Sequence, residues 1–496
     1  MLRAMHVGRA RALALWLGSV LVVAVAGAGR AEAQPPAGVL HPPRRDQPLQ
    51  PQDHDAASVS RAPAQSQASG VATAEPETVG SKLRVVPRIL FFPVRIGLWI
   101  LDAPLRGSFF LYERFQLRER WKAIFFNDTG TVGLYPVAFI ETGFGLNAGA
   151  RFIDRDLYKD ASLKMRASFG GRFRQIYAAK LGSGHVFGDR FELEIEAEHE
   201  IRPKDRFFGI GNGDKVAMAD TLIDPYDSPI ALDTRFQQKI SRVSAIAEVR
   251  LVGPLSVRLS SAAMWRDFDE PAEVPDAQDI GANYDTATLP AFEQGAAYTY
   301  HELELRFDTR RSASRYEVES TPSTGWLLSG FAGLAADFDR APVDYKRYGV
   351  DLQRYFRIGE APRLLALRAY MEGVIGDLDA DIPFVDVPRL GGPILLRGYD
   401  LDRFRDRVLG LGSAEYQWDL GFMLTGFVFV DAGRVYPKLD ELELKDMRVG
   451  YGGGIQVQTA NSFIGRISLA TSIDGGLLFN LSLDPVYDPK ARVERK

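Results

Sequence analysis

Strict alternation of apolar and charged residues, sustained through one segment after another, is the feature that most limits what this chain can fold into. Phe191, Leu193, Ile195, Ala197 and Ile201 occupy one parity, while Glu192, Glu194, Glu196, Glu198 and Glu200 occupy the other. Leu303, Leu305 and Phe307 alternate with Glu302, Glu304, Arg306 and Asp308 in the same way. So do Val243, Ala245, Ala247 and Val249 with Arg242, Ser244, Glu248 and Arg250, and Ile467 and Leu469 with Arg466 and Ser468. Successive side chains of a strand point to opposite faces, so each parity is a face. A helical period would mix the two sets. The fold class is therefore all-β. Following the pattern gives sixteen strands, at about 135–142, 146–152, 160–169, 171–182, 188–203, 232–251, 254–266, 296–309, 325–339, 345–357, 363–376, 407–420, 424–432, 448–459, 463–472 and 476–484.

Composition decides which all-β fold. With no cysteine there is no disulfide framework, thiolate nucleophile or lipid-modified N-terminal Cys. Lys and Arg number 60 against 64 Asp and Glu, a net charge of −4, so no basic footprint for nucleic acid exists. Slightly negative mean hydropathy excludes a bundle of membrane helices. It does not exclude a membrane barrel, whose lipid face and polar lumen average out. Closure is obligatory in lipid, because an open edge leaves backbone groups unpaired. The long gaps 204–231, 267–296 and 377–406 fall at alternate connections, as expected when one end carries long extracellular loops and the other short turns. The expectation is a transmembrane antiparallel β-barrel.

The N-terminus carries an address. Arg3, Arg9 and Arg11 precede an apolar run and then Ala31-Glu32-Ala33, the form of a secretory signal peptide over 1–33. Residues 34–82 are rich in Pro, Ala and Gln and read as a disordered linker. Residues 83–132 read as amphipathic periplasmic or interfacial helices, with Phe91, Phe92 and Trp99 at a lipid boundary. The alternative there is a hydrophobic staple packed on the rest of the protein. The barrel then spans 133–487 and a charged tail 488–496.

No enzyme is legible: G-x-S-x-G is missing, and His185, His199 and His301 have neither metal-ligand spacing nor an evident Ser and acid partner. Asp377-x-Asp379-x-Asp381 lacks the Gly and Glu of a calcium loop. No catalytic residue, metal or cofactor is expected. One long segment stands apart. It contains Gly391-Gly392-Pro393, then Leu396-Arg397-Gly398-Tyr399, then Arg403-Phe404-Arg405-Asp406, and a following strand carries Phe429-Val430-Asp431-Ala432-Gly433. By alternation Asp431 points into the lumen while Val428 and Val430 face lipid, and a charge there calls for a partner.

These motifs resemble the bacterial surface antigen (BamA/TamA) outer-membrane barrel superfamily, which includes two-partner secretion transporters. The Phe207–Asn212 stretch, the Asp308-x-Arg310 spacing and the Gly452-Gly453-Gly454 run extend the likeness over about 133–484. The resemblance implies an extracellular loop folded into the lumen, its tip Arg397, with Gly398 and Tyr399, latched to Asp431. Gly391, Gly392, Arg403, Arg405 and Asp406 support the loop, and Phe429 and Gly433 complete the wall motif. It further implies a bacterial outer-membrane location, lipid surroundings, unfolded outer-membrane or secreted polypeptides as clients, and a role in their insertion or secretion. The periplasmic POTRA repeats of classical members have no counterpart in 34–132. A gated pore or lipid-handling barrel is the alternative, its lumen lined by the Glu192–Glu200 row. An outer-membrane phospholipase lacks its residues.

Overall fold

The computed structural model describes residues 114–482, apart from 142–144, 172–173, 220, 227, 273, 312–323, 360–362, 422–423 and 459–462. The leader, the linker, the apolar segment 85–101 and the tail 488–496 lie outside the described residues.

A helix, α1 (Leu117–Phe125), leads into sixteen long strands: β1 (Val132–Glu141), β2 (Gly145–Asp154), β3 (Ser162–Gly170), β4 (Arg174–Gly182), β5 (Phe191–Phe207), β6 (Thr234–Arg250), β7 (Leu255–Asp269) and β8 (Ala296–Asp308), then β9 (Gly325–Arg340), β10 (Asp344–Arg357), β11 (Arg363–Ile375), β12 (Val408–Gly421), β13 (Leu424–Tyr436), β14 (Arg448–Gln458), β15 (Phe463–Ser472) and β16 (Leu477–Ser482). They form one antiparallel sheet in sequence order. Every strand read from the alternation is present, with ends shifted by a few residues. The largest differences are at β13, expected to end at 432 and continuing to Tyr436, and at β5, expected to end at 203 and continuing to Phe207. The register slips between Arg202 and Asp205, a bulge that breaks the parity on which the reading depended. Arg202 spans it with an ion pair to Asp205 at 2.7 Å.

The faces are inverted relative to a water-soluble protein. Leu303 and Leu305 are 55% and 53% exposed, whereas Glu302 and Glu304 on the other parity are 3% and 1% exposed. Arg242, Arg258, Arg347, Asp351, Arg368 and Arg466 are buried inside, while Val428, Val430, Ile467 and Leu469 lie outside. Apolar out and charged in is the arrangement of a transmembrane barrel. The long connections 208–233, 270–295 and 376–407 leave from one end. Their apolar side chains build a core across that mouth centred on Phe384, whose ring lies 4.9 to 5.8 Å from those of Phe268, Phe236, Phe207 and Phe292.

At the seam of the sheet, β1 and β16 come alongside each other. Among the described residues they share no ladder. Helix α1 abuts the start of β1, with Trp121 and Phe126 against Tyr135 at 6.3 and 5.6 Å. The connection 309–324, long for its end of the barrel, is closed at its base by a bridge between Arg311 and Thr324.

Candidate functional site

The connection 376–407 turns back into the lumen. Two residue pairs, Arg389 with Arg405 and Leu390 with Phe404, zip its arms together. At its neck Gly391 N–H donates to the Leu395 carbonyl at 2.9 Å and Gly392 N–H to that of Tyr399 at 3.0 Å. Leu396, Arg397, Gly398 and Tyr399 form the tip.

Arg397 is 2% exposed and Asp431, on β13, is 1% exposed. The guanidinium donates Nε to Asp431 Oδ2 and Nη2 to Oδ1, both at 2.8 Å, and its own backbone N–H also reaches Oδ2 at 2.9 Å. Three donors from one residue on one carboxylate fix orientation as well as distance. Phe429 lies two residues before Asp431, and its ring centroid is 3.7 Å from the Arg397 guanidinium carbon. Gly433, on the same parity, stands opposite Leu411 and Arg448 in the ladders.

Two further acceptors complete the surroundings of Arg397, and the sequence reading missed both. Glu415 and Ser413 share the luminal parity of β12: Glu415 pairs with Nη1, and Ser413 Oγ accepts from Nη2 at 3.2 Å. Glu415 also takes Arg466 of β15 at 3.0 Å and a hydrogen bond from Gln417 at 2.7 Å. The tip is thus bound to three strands through two carboxylates and two arginines. The only signal in sequence is the polar parity Ser413, Glu415, Gln417, one such row among many.

Backbone space is the other missed element. Gly450 on β14 lies under the tip, where a Cβ would sit 1.7 Å from the Arg397 carbonyl oxygen. Gly398 has φ +102°, and a Cβ on it would come 2.3 Å from the Thr471 carbonyl oxygen. Only glycine lets these backbones approach so closely.

The remaining motif residues tie the loop to its neighbours. Tyr399 is buried, with its ring 5.2 Å from that of Phe404, and burial pushes its hydroxyl up to about 12. Arg403 donates to the Gly213 carbonyl at 2.5 Å. Arg405 donates to the Arg206 carbonyl at 2.7 Å and its own carbonyl accepts from Gly211. Burial draws its guanidinium down to about 10, against the opposing pull of Asp402. Asp406 N–H donates to the Pro388 carbonyl at 3.2 Å, and its carboxylate accepts from Arg407 N–H at 2.7 Å. Asp400 receives Arg206 at 2.5 Å and Lys215 at 2.8 Å. Burial alone would raise its carboxyl, but these two cations hold it below the ordinary value. A second anchor, also unseen in sequence, is Asp386, which pairs with Arg266 of β7 at 3.0 Å and accepts from the Tyr298 hydroxyl.

Three of the five glutamates in the β5 row meet cations of adjacent strands: Lys180 meets Glu194, Arg242 meets Glu198 and Arg174 meets Glu200, at 2.5 to 2.8 Å. His199 and His301 lie on the outward parity, each hydrogen-bonded to a serine of a neighbouring strand, Ser241 and Ser261. Among the described residues no cluster of His, Asp and Glu could hold a metal.

Residues 269–475 match the Omp85 superfamily domain. Over that stretch the chain is similar to the Omp85 superfamily domain. The matched span covers β8 to β15, the inturned loop and the whole Arg397 network. No curated protein sequence matches the chain. Among solved structures it is similar to BamA from Haemophilus ducreyi lacking POTRA domains 1-3, at 15% identity and TM-score 0.48, over 71% of this chain and 70% of that one. It is also similar to CdiB from Acinetobacter baumannii (10% identity, TM-score 0.42) and CdiB from Escherichia coli (9%, 0.45), in each case over 71% of this chain and 60% of the other. At the level of the family, an Omp85 barrel belongs to the bacterial outer membrane and to protein insertion or secretion there.

Proposed function

We propose that this Omp85 barrel inserts or secretes polypeptides at the outer membrane, taking unfolded outer-membrane or secreted chains as clients and engaging them at the seam between β16 and β1. The observation that carries the reading is that seam: two neighbouring strands with no ladder between them among the described residues. A strand at such a seam is one to which an incoming strand adds by β-augmentation. The lumen supports the same reading. Three loops cap its mouth around Phe384, and three of the β5 glutamates, Glu194, Glu198 and Glu200, are paired with cations, which counts against the open, charged channel that a pore requires. In this proposal the Arg397–Asp431–Glu415 network latches the loop against the wall that ends at the seam. Residues 1–33 direct export and are removed, and 83–132 act from the periplasmic side. N-terminal sequencing of the mature protein tests the first of these.

The test compares the outer-membrane proteome and permeability of strains carrying wild type, a deletion, or Arg397→Ala at matched abundance. Loss of particular barrels or secreted proteins in both mutants is the expected result. An unchanged proteome with altered permeability or lipid asymmetry would overturn it in favour of a pore or lipid-handling barrel.

A further inference from the structure

Among the described residues the buried charges of the spanning strands face the lumen, whereas half-buried Arg354 faces outward. On β10 it shares the outward parity with Leu352 and Phe356, both more than a third exposed. The ladders put it opposite Trp326 of β9 and Leu367 of β11. Its guanidinium carbon sits 4.6 Å from the Trp326 ring centroid and 4.7 Å from that of Phe356. Nε is buried without a hydrogen-bond partner, and among the described residues no carboxylate lies within ion-pair distance. Near the opposite, loop-bearing end, outward-facing Lys239 pairs with Asp269.

Position identifies what Arg354 can meet. It lies three residues from the short-turn end of β10, roughly 10 Å of strand. Phe356, the ring below it, draws the guanidinium toward that rim. In an outer-membrane barrel this end faces the periplasm, so Arg354 reaches the headgroup level of the inner leaflet. An unpaired cation on a lipid-facing wall calls for an anion, and long cationic side chains turn toward the interface to find one.

We propose that Arg354, Trp326 and Phe356 form a binding site for the phosphate of an anionic phospholipid in the inner leaflet. The rings hold and desolvate the guanidinium by cation–π contact, and its N–H edge takes the phosphate oxygens. Leu328 and Leu352, paired in the ladder one step further from the rim, and Leu367 offer an outward apolar track for an acyl chain.

The test uses the full chain in liposomes of phosphatidylethanolamine and phosphatidylglycerol, extracted gently and weighed by native mass spectrometry with lipids retained. Wild type should keep phosphatidylglycerol in preference to phosphatidylethanolamine. Arg354→Gln should weaken that retention roughly fivefold, the loss expected for one cation near a membrane surface. Arg363→Gln, which removes an outward charge at the very start of β11, should leave it intact. Equal retention by wild type and Arg354→Gln overturns the site, and so does equal loss in Arg363→Gln, which would mean unspecific surface charge. Displacement of the lipid by added inorganic phosphate, with no preference among lipids, also overturns it. Heat-modifiable gel mobility checks folding. If Arg354→Gln fails to fold, Trp326→Leu replaces it: retention should fall with the charge still present, and unchanged retention refutes the site.

Discussion

Arg397→Ala is the sharpest perturbation of the inturned loop, and the structure sets its size. The substitution removes the two guanidinium donors from Asp431 and one from Glu415. The backbone donor survives, so two of the three on Asp431 are lost. Glu415 keeps Arg466 at 3.0 Å and Gln417, whereas Asp431 retains only the serine hydroxyl and that single N–H. Asp431 is therefore left as a buried, undercompensated charge. Removing one partner of a buried pair costs about 3–5 kcal/mol, roughly two to three and a half orders of magnitude in the docked population of the tip. Arg206–Asp400 and Arg266–Asp386 still hold other parts of the loop, so it should loosen at the tip first. Amide hydrogen exchange of the folded barrel in detergent measures this directly. Protection across 395–400 should fall by at least a hundredfold, with little change around 384–388. Unchanged protection at the tip, or equal loss at both places, would refute the reasoning.

Further outcomes follow from the same geometry. Glu415→Gln leaves the Arg397–Asp431 contacts in place, so it should cost only about 1–3 kcal/mol of tip docking, again read by exchange at 395–400. Gly450→Ala changes no charge yet drives a methyl into the Arg397 carbonyl, and tip protection should fall to the level of Arg397→Ala; protection like wild type would show that the close approach is dispensable. Asp400 has its carboxyl held below the ordinary 3.8, so its tie to Arg206 and Lys215 is fully present above that value and lost as pH falls through the lower, folded one. Exchange or proteolysis at 400–406 should rise only in that acid window, and Asp400→Asn should abolish the pH dependence. In planar bilayers the wild-type barrel should conduct poorly and Arg397→Ala more, and a large steady wild-type conductance would contradict a capped lumen.

The architecture is legible in the sequence because period two survives in nearly every strand; it fails at Arg202–Asp205, where a bulge resets the parity and the last residues of β5 read as loop. Arg397 and Asp431 are legible through paired motifs, R-G-Y and F-x-D-x-G. Glu415 and Arg466 are not, since each is one charge on an alternating luminal row, and only the curvature of the sheet brings β12 and β15 to the same tip. Gly450 is hidden for a similar reason: its role depends on a backbone 53 positions away in sequence arriving at its surface. The cap is equally opaque. Phe384, Ile280 and Tyr284 sit in stretches that read as connections, and nothing local says that three connections share one core.

The central claim is that the seam between β16 and β1 must open for the barrel to work. Because the chain has no cysteine, one introduced into each of Val132–Glu141 and Leu477–Ser482 gives a clean lock. The measurement is delivery of outer-membrane and secreted proteins with that disulfide formed and then reduced. The account predicts loss of delivery when the seam is locked and recovery on reduction, with each single-cysteine variant behaving as wild type. Full delivery through a locked seam would contradict it.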